Sequence, residues 1–373
     1  PELRKRLLLT VCLLLVYRFG VHIPVYGIDA KAVSDLFQQK AGAFFAWFNV
    51  FSGGALERFS VFALGVMPYI SASIIFQLLS VVVPVIGELQ KEGDSGRRKI
   101  NQYTRYATVF LSLIQGFGIA AGLEHLVGSG AILAGVSFKF VTAISLCGGT
   151  LFLMWLGEQI TDKGIGNGTS LIIFSGIAAG IPRGAYTIFG MVRGGDIAFG
   201  FAVAILAVLL CSFFVIIFVE RGQRKISVQY AKRMVGRKVY GGQNTHLPVK
   251  VNSAGVIPPI FSSSLLAFPA TIASLSGIKW FADFGSQLQH GTLTYSLLSG
   301  SLIIFFSLFY TSVSFKSADI ADSLRKNGGY VPGVRPGKST QDFIDRVLVR
   351  VTVGGALYIT LIALLPDMLG VGT

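Results

Sequence analysis

The sequence predicts an all-α polytopic membrane protein, on three observations. Only 13% of its 373 residues are charged and 52% are hydrophobic, at a mean hydropathy of +0.66, whereas soluble domains carry about 25% charged residues. Apolar runs recur at the roughly 20-residue length a helix needs to cross a bilayer. Those runs lack the alternation over about 10 residues that marks barrel strands. Together these observations exclude disorder, a disulfide-rich secreted scaffold and an ordinary soluble enzyme. The three cysteines (Cys12, Cys147, Cys211) lie far apart inside apolar runs with no C-x-x-C pair, so no metal or redox site is expected.

Nine spans are expected, over residues 7–24, 61–83, 105–123, 138–160, 167–182, 197–219, 253–275, 295–315 and 344–365. Ahead of the first, Pro1-Glu2-Leu3-Arg4-Lys5-Arg6 imitates the start of a signal peptide. Arg18 interrupts the run that follows and no A-x-A cleavage site comes after it, which favours a spanning helix. The chain starts without Met, and its ninth span runs outward into the short tail Leu369-Gly370-Val371-Gly372-Thr373. A trimmed N-terminus and a missing further C-terminal helix are therefore expected.

Alternating the spans from an inside N-terminus places 85–104, 161–166, 220–252 and 316–343 on one side. That side collects 24 of the 32 Lys and Arg and 11 of the 18 acids, a net charge of +13 against +1 opposite. The positive-inside rule makes it cytoplasmic, with the N-terminus.

The loops differ in kind. Residues 221–250 hold Arg221, Arg224, Lys225, Lys232, Arg233, Arg237, Lys238 and Lys250 without an acid. Period-2 stretches at 225–230 and 237–242 predict a hairpin projecting from the membrane. Such a loop suits anionic lipid, or a large polyanion such as structured RNA or an acidic protein, with Tyr230 and Tyr240 interleaved. Residues 316–343 mix both signs and then read Gly328-Gly329-Tyr330-Val331-Pro332-Gly333-Val334-Arg335-Pro336-Gly337. Two readings remain for that loop: a shaped turn presenting Arg335 on a rigid tip, and a solvated connector.

The spans are nearly free of ionisable groups. Arg18, Glu158 and Glu220 sit toward span ends, whereas pumps and ion-coupled transporters carry charges at depth. There is no HExxH, no GxSxG and no pair of deep acids, and Gly164-Ile165-Gly166-Asn167-Gly168 narrowly misses GxGxxG. Neither enzyme chemistry nor a cofactor is expected. Residues 47–60, broken by Ser52-Gly53-Gly54, are too short to span and too apolar for a solvated loop, which predicts a re-entrant or interfacial segment. Val66, Ile70 and Ile74 then recur along one helix face, with Ser73 and Gln77 on the adjacent stripe. Helix packing is the plain reading of that spacing.

Certain stretches carry more than spacing. SVFALGVMPYISASIIFQLL at 60–79 and LGEQITDKGIGNGTSLII at 156–173 are the most specific. They are supported by FSGGALERFS at 51–60, EGDSGRRKINQYTRY at 92–106, VERGQRK at 219–225, THLPVKVNSAGVIPPIF at 245–261, FPATIAS at 268–274 and YVPGVRPG at 330–337. Through them the whole chain resembles the SecY family, the central channel subunits of the bacterial Sec protein translocase.

The resemblance implies two inverted five-helix halves around an hourglass pore, here 1–190 and 191–373, with nine spans present and the tenth absent. It implies a pore ring at Val66, Ile70, Ile173 and Ile260, where Thr169 stands at a position usually apolar. It implies a plug at 47–60 (Phe51, Ser52, Gly53, Gly54 and Leu56), formed as a short mobile helix kinked at the glycines. A lateral gate is implied at Ser71, Ile74, Gln77 and Phe268. Docking of the ribosome or the SecA motor is implied at Arg237, Lys238 and Arg335. The expected function is a passive, gated polypeptide channel in the bacterial cytoplasmic (inner) membrane, partnered by SecE, SecG, SecA, the ribosome, a secretory polypeptide and membrane lipid. A small-solute secondary transporter built on inverted repeats and a membrane assembly scaffold are the competing readings.

Overall fold

Long apolar runs fold as helices because a helix pairs every backbone group within itself, and the chain's Pro, Gly and Asn residues decide where each run stops. The computed structural model describes residues 1–28, 33, 49, 52–127, 135–195, 197–230, 233–235, 238–240, 245–263, 265–266 and 292–368. Among these, six helices are long and apolar enough to cross a membrane, and a seventh if one bent pair counts as a single span. Contacts group the described residues into two compact units, one within Pro1–Ile197 and the other within Ala198–Leu266 and Gly291–Thr373.

The first unit holds α1 (Glu2–Gly20), α2 (Met67–Val82), α3 (Pro84–Lys91), α4 (Asp94–Val127), α5 (Val136–Lys163) and α6 (Gly168–Gly194). Helix α1 ends at Gly20, four residues short of the expected span. Beyond it, Pro24 bridges to Ser60 as extended chain. Helix α2 starts at Met67 rather than at residue 61, because 61–66 form turns that continue the preceding segment. Pro68 falls in its first turn, where a missing N–H costs nothing. At Val83 the backbone is extended (φ −103°, ψ 110°) as Pro84 requires, and α2 and α3 meet at 103°.

Helix α6 departs furthest from expectation. It begins at an Asn167 side chain that accepts from the Ser170 N–H at 3.2 Å and ends at Gly195 in the left-handed region (φ 84°). Pro182 lies inside it rather than ending it. Arg183, assigned from sequence to a loop, is therefore a helix residue, and the spans are not as free of charge as the sequence suggests.

The second unit holds α7 (Phe199–Glu220), β1 (Gln223–Tyr230), β2 (Arg233–Val235), β3 (Lys238–Tyr240), β4 (Thr245–Lys250), α8 (Leu293–Ser314), α9 (Ser317–Lys326), β5 (Gly329–Tyr330) and α10 (Lys338–Met368). The basic loop is a hairpin: β1 pairs antiparallel with β4, Ile226 opposite Leu247, and β2 with β3. β5 then adds to the free edge of β1, giving the order β4-β1-β5. The Tyr330 hydroxyl donates to Gln229 Oε1 at 3.1 Å across that edge. Ile226, Val249, Val331 and Leu348 form a common core under the sheet. Residues 316–343 are thus no simple connector, since they hold a helix and a strand. The two loops, read as different in kind from the sequence, share one sheet.

Candidate functional site

Between α1 and α2, residues 52–66 form successive turns, broken at Ser60 by its bridge to Pro24. Within the expected plug helix, Asn49 is helical and 52–60 are not. Gly53 and Gly54 have φ of 66° and 83°, and Phe59 has φ 45°, a left-handed conformation that interrupts a helix.

Its backbone donors find partners within protein, as buried non-helical backbone must. Gly54 N–H reaches the Asn49 carbonyl (2.9 Å), Ser60 N–H the Ala55 carbonyl (2.8 Å) and Val61 N–H the Ile23 carbonyl (3.0 Å). Val25 N–H returns a bond to the Phe59 carbonyl at 3.0 Å. Side chains supply the rest: Leu56 N–H donates to Ser52 Oγ, Glu57 N–H to Asn49 Oδ1 and Phe62 N–H to Ser60 Oγ.

Two apolar clusters grip the segment. Leu56 and Phe59 join Val25, Ala63, Leu64, Ala120, Leu123, Phe138 and Leu146. Ala55 lies in a second cluster with Tyr17, Val21, Val66, Leu156, Ile172 and Ile173, against which Ile70 also packs. Three expected ring residues therefore come together, and a residue of the expected plug lies among them. Thr169 is half-buried, and its hydroxyl donates to Asn167 Oδ1 at 2.6 Å, so its polarity is satisfied within the helix cap.

Polar ties complete the hold. The Tyr17 hydroxyl donates to the Ser52 carbonyl and Arg18 Nη1 to the Gly53 carbonyl, both at 3.1 Å. Gly53 meets Gly176 of α6 so closely that a Cβ on it would lie 2.8 Å from the Gly176 Cα. Arg58 Nη1 lies 2.7 Å from His22 Nε2, and His22 Nδ1 lies 2.9 Å from the Arg18 carbonyl oxygen. A neutral imidazole protonated on Nδ1 satisfies both contacts. Arg183 grips Glu57 with two nitrogens, at 3.0 and 3.2 Å.

Burial alone pushes the Glu57 carboxyl up. Hydrogen bonds and charge from Arg183, a bond from Asn49 and the Arg58 charge outweigh it and hold the group below its ordinary value of 4.5.

The other expected site residues lie elsewhere or outside the described set. Ser71 and Ile74 are half-buried on α2, and Gln77 is exposed there. Ile260 is half-buried in a helical stretch at 257–263 of the second unit. Arg335 is exposed, and its carbonyl accepts from Thr340 Oγ1 at 2.8 Å. Lys238 lies in β3. Phe51, Arg237 and Phe268 lie outside the described residues. Sequence reasoning missed Tyr17, His22, Asn49 and Arg183, and Arg183 was detectable only by extending the fifth span through Pro182.

A bundle of spanning helices with a segment of turns seated on an apolar cluster within it defines the class: polytopic helical membrane proteins. The family profile described as SecY matches residues 60–373. The protein translocase subunit SecY of Escherichia coli (strain K12) is 51% identical over 374 residues, covering 99% of this chain and 84% of that protein. Among solved structures, a protein-conducting channel superposes with a TM-score of 0.69 at 17% identity, covering 98% of this chain and 86% of that one. The canine Sec61 channel of a ribosome-channel complex from the endoplasmic reticulum gives 0.62 at 14% identity, over 98% and 91% of the two chains. The chain belongs to the SecY family.

The sign of the Glu57 shift gives a prediction. A lowered carboxyl pKa means that the ion pair contributes fully above pH 4.5 and is lost as pH falls through the lowered value. In an Arg183→Gln variant, burial acts without its main counterweight, and Glu57 is expected to titrate at higher pH than in the parent. A carboxyl 13C NMR titration of both proteins measures this, and coincident curves would contradict the pairing.

Proposed function

We propose that this chain is the channel subunit of a bacterial protein translocase. It passes unfolded secretory polypeptides across the cytoplasmic membrane and releases membrane spans sideways into lipid. The carrying observation is that Ala55 of the 52–60 segment shares one apolar cluster with Val66, Ile173 and, packed against it, Ile70. Branched apolar side chains at a constriction exclude water and ions by dewetting, and they offer no fixed polar partner to an arbitrary sliding chain. The 47–60 segment is the plug of that constriction. Ile260 is assigned to the same ring by its place in the matching stretch 245–261, and Ser71, Ile74, Gln77 and Phe268 to the lateral gate by theirs. The halves are 1–190 and 191–373.

The work comes from outside the chain, which is not itself an enzyme: a SecA motor with ATP, or a translating ribosome, drives the substrate. SecE and SecG are the membrane partners. The excess of Lys and Arg on one side supports a cytoplasmic N-terminus. Arg237, Lys238 and Arg335 form the docking face. The sheet that joins β5 to β1 supports placing the loop of Arg335 beside the base of the loop that carries Arg237 and Lys238, and the name of the canine neighbour supports the ribosome as one occupant.

Two experiments test this reading. Proteoliposomes holding the full-length protein with SecE and SecG, supplied with SecA and ATP, are expected to protect a signal-bearing polypeptide from added protease. Failure to do so, combined with uptake of a small solute down a gradient, would replace the channel with a transporter. Reversing Arg237 and Lys238 to Glu is expected to weaken ribosome binding and flatten its dependence on salt by about two counterions. An unchanged slope would return that loop to the lipid surface.

A further inference from the structure

The plug's ties are unequal. Toward α1 it is held by the bonds of Tyr17 and Arg18 to the Ser52 and Gly53 carbonyls and by the Arg58–His22 contact. Those to Ser52 and Gly53 use the plug's backbone, so almost any plug sequence would keep them. Toward α6 it has the Gly53–Gly176 contact, which involves no side chain, and the Glu57–Arg183 pair. Among the described ion pairs, this is the one that ties residues 52–60 to a spanning helix.

The two partners are built differently. The Glu57 side chain is 14% exposed and the Arg183 side chain 65%. Asn49 bonds Glu57 at two points: its Nδ2 donates to the carboxylate oxygen Oε2 at 3.3 Å, and its Oδ1 accepts from the Glu57 backbone N–H at 3.0 Å. The guanidinium docks on this prepared anion with two nitrogens, the strong form of the pair. It remains open to solvent on its other side, so it can leave without stranding a buried cation. A fixed anion and a withdrawable cation make a releasable contact. Arg183 also stands ten residues along α6 from Ile173, about 15 Å at helical rise, so one helix, with Pro182 inside it, carries both a ring residue and the cation.

We propose that the Glu57–Arg183 pair is the latch of the closed plug: it couples the plug to α6, and widening of the ring breaks it. The proposal rests on reading 47–60 as the plug and names a regulatory contact within that site. When a polypeptide entering the ring displaces Ile173, α6 carries Arg183 with it. The guanidinium is then drawn off a carboxylate that Asn49 bonds on the plug, and the plug loses its charged tie to that helix. Because the pair is charged and half in solvent, added salt weakens the closed state without any substrate.

The test is ion conductance of the full-length channel with its partner subunits in planar bilayers, with no polypeptide present. Deleting 52–60 is the reference for an unplugged channel. Glu57→Gln and Arg183→Gln are each expected to raise the resting open fraction about tenfold, the size of one charge-assisted bond. The reciprocal exchange Glu57→Arg with Arg183→Glu is expected to bring it back toward the parent level. High salt is expected to raise the resting open fraction in the parent and not in the double Gln variant. A parent-like resting level in both single variants, beside a leaking deletion, overturns the latch and leaves the plug standing. A leak that the exchange does not reduce also overturns it, because charge pairing is then not the cause. A tight deletion channel overturns the plug reading itself. A Glu57→Cys, Arg183→Cys pair joined by a short reducible thiol crosslinker guards against misfolding. Joined, it is expected to block translocation, and reduction is expected to restore it. Unimpeded translocation with the crosslink intact would mean that the plug need not leave α6, which contradicts the latch.

Discussion

Backbone that leaves the helical conformation inside an apolar bundle must find its hydrogen bonds in protein, because hydrocarbon supplies none and each unmet group costs several kcal/mol. Residues 52–66 meet this constraint, and the rest of the site depends on how they do so. Asn49 and Ser52 act as local caps, Ser60 closes the last turns, and Val25 and Val61 lock the two ends of the excursion together. Once closed, the segment is a small rigid body. It turns Leu56 and Phe59 toward one cluster and Ala55 toward another. Most of its hydrogen bonds are internal.

Helix α6 meets that segment in three different ways. In order along it come the Asn167 cap that fixes its start, Thr169 with its hydroxyl folded onto that cap, the buried Ile173, the Gly176 that admits the plug backbone, and Arg183. A side chain at Gly176 would meet the Tyr17 hydroxyl at 3.1 Å and the Gly53 nitrogen at 3.2 Å. Close approach, apolar burial and charge thus act within a few turns of one helix. Of these, only charge acts over distance and responds to salt.

Seven of the nine expected spans were legible in the sequence because membrane helices announce themselves by length and hydropathy, which are local properties; the charged α1 is not among the helices apolar enough to cross, and most of 253–275 lies outside the described residues. Their ends were less so. The expected start at residue 61 fell inside turns because 61–66 are as apolar as the helix that follows. Pro182 looked like an end, yet α6 continues through it. The paired loops were half legible: alternation marked β1, but β5 is two residues long and joins the sheet through its edge. The ring stripe at Val66 and Ile70 was visible as a helical repeat, and the family resemblance gave it a role that spacing could not. The latch was illegible for a different reason. Glu57 and Arg183 lie 126 residues apart, and nothing in either neighbourhood names the other.

The central claim is that the cluster of Val66, Ile70 and Ile173 surrounds a moving polypeptide. Site-specific photocrosslinking from Ile70, and separately from Ile173, to a secretory chain stalled in full-length protein tests it most directly, with a lipid-facing position on each helix as control. The account predicts crosslinks from both ring positions and none from the controls. Silence at both, with the stalled chain demonstrably halfway across, would contradict it and return that stripe to ordinary helix packing.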